Sequence, residues 1–173
     1  MKGVLKLASS GDIVSMEQDD THGRLVFKVG NITRRMNLVD TATMNDPKVP
    51  QLSLATSISL MVDELQKGIR AADTISDHIT LRAGPDFFEL SCEGDTDSVS
   101  LRLEGSSLLG IEAAEEVRSM FPLDYFQNIT KAIPAGTAVT VELDSDYPVK
   151  LVFALADGAA KVRYLLAPRI ESD

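Results

Sequence analysis

The sequence predicts an α+β fold in which one helix followed by three antiparallel strands is written three times, with the helices on one face of the sheets. Three observations carry this expectation. Apolar residues at helical spacing are followed by runs of period-two alternation, in the same order in each copy. Glycine, proline, asparagine and aspartate fall between those runs, where hairpin turns need them. Basic residues recur on the helical segments, although 26 Asp and Glu outnumber 17 Lys and Arg and the net charge is −9. A repeated cationic helix face inside an acidic protein is an electrostatic arrangement rather than an active site.

The first copy opens with MKGVLKLAS (1–9), where Met1, Val4 and Ala8 share one stripe and Lys2 and Lys6 stand four apart on another. No N-cap residue precedes this helix, so the chain is expected to start inside a structural unit. The strands DIVSMEQ, RLVFKVG and ITRRMNLVD follow, the last two joined at Gly30-Asn31. Alternation sends Arg34 and Arg35 to opposite faces and puts Met36 and Leu38 on one. Residues 41–54, TATMNDPKVPQLSL, show no periodicity and hold Pro47 and Pro50, which withhold backbone donors. They read as an extended connector between a partial domain (1–40) and a complete one (55–173).

In the second copy a strand over 58–62 enters the helix DELQKGIRAADTIS, with Leu65, Ile69 and Ala72 as its apolar stripe and Lys67 and Arg70 off it. The strands HITLRAG, FFELSCEG and SVSLRLEG are separated by Gly84-Pro85-Asp86 and Gly94-Asp95. Residues 105–121 read as a loop and one strand (117–121) leading into the third helix, LDYFQNITKAI. There Phe126, Ile129 and Ile133 face inward, Asn128 and Lys131 share a polar face, and Pro134 and Gly136 end the helix. AVTVELD, PVKLVFALAD and AKVRYLLAP complete the third copy.

Composition excludes several function classes. With 5% aromatics and no Trp, a base-stacking platform is not expected. The one cysteine, Cys92, excludes an intrachain disulfide and reads as a half-buried strand residue. There is no apolar run long enough to cross a membrane and no secretory leader, so the expectation is an intracellular, soluble, cytoplasmic protein without membrane contact. No Gly-rich phosphate loop, H-E-x-x-H or paired-cysteine motif occurs, and His22 and His78 have no triad or metal partners in view. No catalytic residue, metal or cofactor is therefore expected. The carboxylates gather in candidate loops and outer strands (Glu17, Asp19 and Asp20; Glu112, Glu115 and Glu116; Asp144 and Asp146; Glu171 and Asp173) and read as a solvated shell.

The segments GIRAADTISDHITLRA, RSMFPLDYFQNITKA and DYPVKLVFALADGAAKVRYLLAPRIESD, with the connector NDPKVPQLSL, closely resemble the archaeal-type proliferating cell nuclear antigen family, the sliding clamps of DNA replication. The resemblance covers essentially the whole chain. It implies the DNA-clamp fold and a head-to-tail homo-oligomeric ring that encircles duplex DNA without catalysis of its own. By the match, Lys2, Lys6, Lys67, Arg70 and Lys131 fall on or beside helix positions that face DNA, giving weak, non-specific attraction to the phosphate backbone in a nucleoid-associated protein. Pro47, Val49, Tyr147, Pro148, Leu165, Ala167, Pro168 and Ile170 match the pocket for clamp-binding peptides of DNA polymerase, ligase, nuclease and clamp loader. The subunit contact would join residues 33–39, including Thr33, Arg35, Met36 and Leu38, to Ser98, Ser100 and Arg102 of a neighbour. The family's subunit is longer. This chain is expected to begin at the second helix of the first domain, leaving the 1–39 sheet short of a cover and the strand at 161–166 short of a neighbour. A second reading stays open at this point: a shortened homologue that does not encircle DNA but regulates or sequesters clamp partners.

Overall fold

The computed structural model describes residues 2–40 and 50–169. The chain divides into two compact units, Met1–Gln51 and Leu52–Asp173. In the first, α1 (Lys2–Leu5) precedes β1 (Val14–Asp19), β2 (Arg24–Val29) and β3 (Ile32–Asn37), an antiparallel sheet in that order. The helix expected over 1–9 is only one turn long. The Leu7 and Ala8 N–H groups donate to the Val4 and Leu5 carbonyls at 3.0 and 3.3 Å, the i to i+3 bonds of a tightening end, so Lys6 sits past the helix. So short a helix has no stability of its own; Val4 holds it by packing on Phe27 and Val29. Gly30 adopts φ 53°, which the two-residue turn between the paired Val29 and Ile32 favours. Arg34 lies opposite Phe27 and Arg35 opposite Val26, on the two faces of the sheet. This core is small: Ile13 and Met16 are 86% and 59% exposed.

The second unit runs β4 (Thr56–Met61), α2 (Val62–Ala72), β5 (His78–Gly84), β6 (Phe87–Glu93), β7 (Ser98–Glu104), β8 (Gly110–Glu112), β9 (Val117–Pro122), α3 (Leu123–Thr130), β10 (Ala138–Leu143), β11 (Val149–Leu155) and β12 (Ala160–Leu166). It forms two antiparallel sheets, β12-β11-β10-β4-β8 and β7-β6-β5-β9. The strands that lead into the helices are exchanged. β4 enters α2 yet pairs with β10, and β9 enters α3 yet pairs with β5. Each helix-and-strands copy thus donates its first strand to the other copy's sheet, and the two share one core.

Burial follows the alternation: Thr56, Ile58 and Leu60 of β4 are buried between half-buried neighbours, while at the edge strand β7 only Val99, Leu101 and Leu103 turn inward. Phe121 and Phe126 meet with ring centroids 5.6 Å apart at the heart of this core. Fully burying such a side chain contributes about 1.5–3 kcal/mol.

Three local expectations are corrected. Residues 105–121 hold, besides β9, a single 3-10 turn (Gly105–Ser107) and β8, where Ile111 pairs with Ile58; three residues are too few to show a period. On α3, Ile129 is half-buried and Thr130 is the buried residue, because its hydroxyl donates to the Phe126 carbonyl at 2.8 Å and needs no water. Cys92 is buried rather than half-buried, on the core side of β6. Burial pushes its thiol pKa up, partly offset by a hydrogen bond with the Val99 backbone.

Candidate functional site

α2 carries its buried residues, Val62, Leu65, Gly68, Ile69 and Ala72, on one stripe and packs on β4, β6 and β7; α3 packs on β5 and β9. Gly68 lets α2 come close to the sheet, since a Cβ there would stand 2.9 Å from a Leu101 methyl and 3.3 Å from two Leu90 methyls.

The two helices run antiparallel. Gln66 of α2 donates its amide N–H to the Thr130 and Ile133 carbonyls at the end of α3 (2.8 and 3.3 Å), and Asp63 accepts the Gly136 N–H at 2.7 Å. At the opposite end the first residue of α3, Leu123, donates to the Asp77 carbonyl just after α2. These contacts close carbonyls and N–H groups that helix ends otherwise leave open.

Lys67 and Arg70 on α2 and Lys131 at the C-cap of α3 are all exposed, opposite the buried stripes. Among the described residues, none of the three is in an ion pair. The helix layer is not uniformly positive: Asp63, Glu64 and Asp124 sit in the first turns, where they complement the helix dipoles. Lys2, in α1, and Lys6, exposed just past it, belong to the other compact unit.

A second cluster forms along β9, the outer strand of its sheet. The Arg118 and Met120 carbonyls point away from β5. They accept the Asp146 N–H (3.1 Å) from the β10–β11 turn and the Arg169 N–H (2.8 Å) from the tail after β12. Ser119 donates its hydroxyl to the Tyr147 carbonyl at 3.2 Å, and Ser145 accepts the Arg118 N–H at 3.3 Å. Two separate segments thus close the edge that β9 would otherwise expose. The closure brings together Tyr147, which is half exposed, Pro148, Ala167 and Pro168. Leu165 lies within β12 opposite Lys150, on the sheet face away from the helices. The guanidinium of Arg169 also reaches the His78 ring, whose Nδ1 meets the Asp77 carboxylate. Pro47, Val49 and Ile170 lie outside the described residues.

The residues named for subunit contact fall on two outer strands, Thr33, Arg35 and Met36 on β3 with Leu38 just after it, and Ser98, Ser100 and Arg102 on β7. Gln66, Ser119 and Arg169 were not singled out from the sequence. A lone Gln, Ser or Arg carries no local pattern, and each acts across more than 25 positions of chain. Among the described residues, no group of three His, Cys, Asp or Glu is placed to hold a metal, and no helix is long and apolar enough to cross a membrane.

Residues 48–169 match the family model for the proliferating cell nuclear antigen C-terminal domain. A DNA polymerase sliding clamp of Methanococcoides burtonii is 38% identical over 171 residues, covering 98% of this chain and 69% of that protein. The Archaeoglobus fulgidus sliding clamp is 36% identical over the same shares of both chains. Among solved structures, one described as the C-terminal region of FEN-1 bound to A. fulgidus PCNA superposes with a TM-score of 0.89 at 36% identity, over 99% of this chain and 69% of that one. PCNA from Thermococcus kodakaraensis, at 24% identity, shares the fold with a TM-score of 0.83 over 96% of this chain and 69% of that one. The antiparallel helix pair laid over two sheets, the family model and these relatives agree: the chain belongs to the proliferating cell nuclear antigen family of DNA polymerase sliding clamps.

Proposed function

We propose that this chain is the subunit of a homo-oligomeric ring that encloses duplex DNA and tethers replication and repair enzymes inside the cell, without catalysis of its own. The observation that carries the proposal is the placement of Lys67, Arg70 and Lys131 on the solvent face of two antiparallel helices, with both sheets behind them. A few exposed cations suit this task, since phosphate contacts attract without reading bases and a handful per subunit leaves the ring free to slide. By the family resemblance, Lys2 and Lys6 of the first unit are proposed to face DNA as well. Residues 41–54 would connect a partial domain (1–40) to a complete one (55–173).

Partner recognition is assigned to the surface along β9, with Tyr147, Pro148, Ala167 and Pro168 as its walls and Leu165, Pro47, Val49 and Ile170 as further members. Exposed and half-buried apolar groups beside a closed strand edge suit a peptide with aromatic anchors. The FEN-1 segment on the A. fulgidus relative supports this reading for a nuclease; polymerase, ligase and clamp loader are the other partners proposed. Subunits would join through the open edges β3 and β7.

The test is retention on DNA of different topology. A ring loaded onto closed circular duplex stays through a salt wash and is lost when the circle is linearised. Equal loss from circles and linear DNA would refute encirclement.

A further inference from the structure

We propose that the incoming β3 strand meets β7 in one register, set by Glu89, which accepts Arg35 of the neighbouring copy. This rests on the ring contact proposed above and names the group that orients it.

The backbone groups left free on each edge strand decide which residues can pair. The Leu38 N–H donates to the Gly23 carbonyl at 2.8 Å, in line with the β2–β3 register. Hydrogen-bonded pairs alternate along an antiparallel ladder. Ile32, Arg34 and Met36 therefore bond to β2, and Thr33, Arg35 and Asn37 point their N–H and C=O groups outward. On β7 the flanking bonds from Gly94 to Asp97 (2.9 Å) and from Gly105 to Asp86 (2.6 Å) fix the same alternation. Val99, Leu101 and Leu103 bond to β6; Ser98, Ser100, Arg102 and Glu104 point outward.

Both outward sets also carry their side chains on the faces away from their own cores, since Met36 packs on the first unit's core and Val99, Leu101 and Leu103 on the second's. An antiparallel join of outward to outward groups therefore keeps core side with core side and solvent side with solvent side.

Only two registers place all three outward residues of β3 against β7. One sets Arg35 opposite Arg102, two cations face to face, which destabilises a strand pair. The other sets Thr33, Arg35 and Asn37 opposite Arg102, Ser100 and Ser98.

In this second register Arg35 lands over Ser100, whose hydroxyl donates to Glu89 Oε1 at 2.8 Å. Glu89 Oε2 already faces Arg82 (3.3 Å) and Arg102 (3.7 Å), while Oε1 holds only the Ser100 hydroxyl among the described residues and has a lone pair left. Arg102 is itself stacked 3.9 Å above the Phe87 ring and bound to Glu104 at 3.0 Å, so it does not swing aside to admit Arg35. The side chain of Glu89 is 14% exposed, so a charge-assisted bond there is screened less than one on an open surface.

The experiment introduces thiol pairs and reads the chain mass without reductant. Hydrogen-bonded antiparallel residues stand about 5.5 Å apart at Cα, within disulfide reach, and buried Cys92 does not compete. The combined Asn37→Cys and Ser98→Cys protein should give interchain oligomers, and Asn37→Cys with Ser100→Cys should not. Glu89→Gln and Arg35→Gln should each weaken self-association about tenfold, with little further loss when combined. Crosslinking by the Ser100 pair instead, disulfides within one chain, or additive losses would overturn the register. Association without crosslinking in either pair would also overturn it while leaving the ring contact standing. A monomer at every concentration would remove both.

Discussion

Replacing Gln66 with alanine should loosen the two helices from each other without touching any charge proposed to meet DNA. The side chain makes two amide-to-carbonyl bonds, 2.8 Å to Thr130 and 3.3 Å to Ile133, in a half-buried setting. A net hydrogen bond of this kind contributes about 1 kcal/mol, the longer one less. The Thr130 carbonyl keeps the Ile133 N–H as a partner at 3.1 Å, so truncation does not orphan it. The expected loss is about 1.5 kcal/mol, a fall of roughly 6 °C in Tm for a domain of this size. Gln66→Glu separates bonding from packing. It keeps the shape but aims a carboxylate at two carbonyls and the negative end of α3, so it should lose at least about 1 kcal/mol more at neutral pH. The sign with pH is definite. The folded state favours the protonated Glu, so the variant's deficit should shrink as pH falls and the acid regains an O–H donor. Urea and thermal melts of the three proteins at neutral and acidic pH test this. A Gln66→Ala melt within about 1 °C of the parent, or a Glu variant no worse than Ala, would refute the bridging role.

Two further outcomes follow. Replacing Lys67, Arg70 and Lys131 together with alanine should leave the melt nearly unchanged, because all three are exposed and in no ion pair among the described residues. It should lower the dependence of log K for DNA on log salt by about 0.9 for each phosphate these cations neutralise, read from binding at several salt concentrations. Cys92 should resist alkylation in the native protein near pH 8 and react fully in denaturant, since burial both blocks access and holds the thiol protonated; rapid native labelling by iodoacetamide would contradict the placement of β6.

The candidate sites divide by the range of the forces that make them. Lys67, Arg70 and Lys131 were readable because helical periodicity relates a residue to its own buried stripe, and Leu65, Ile69 and Phe126 are buried as that period requires. The same logic failed at α1, where the pattern over 1–9 was present but four residues form the helix; among the described side chains of α1 Val4 alone is buried, against Phe27 and Val29, and one turn is all that packing supports. It failed again at Thr130, where a hydroxyl satisfied by the Phe126 carbonyl is as acceptable inside as the half-buried Ile129.

What the sequence alone determined is the alternation of helices and strands, the turns between them and the side of α2 and α3 on which Lys67, Arg70 and Lys131 stand. These follow from periods of 3.6 and 2 and from the turn chemistry of glycine, proline and asparagine, all properties of neighbouring residues. Only the tertiary structure decided that β4 and β9 are exchanged between the sheets, that Gln66 ties α2 to α3, and that Asp146 and Arg169 close the edge of β9. Each of those joins residues far apart in the chain, the exchanged strands through whole ladders and the others through one or two backbone or amide hydrogen bonds. Such bonds leave no periodic mark in composition and form only once the shared core has brought their partners together.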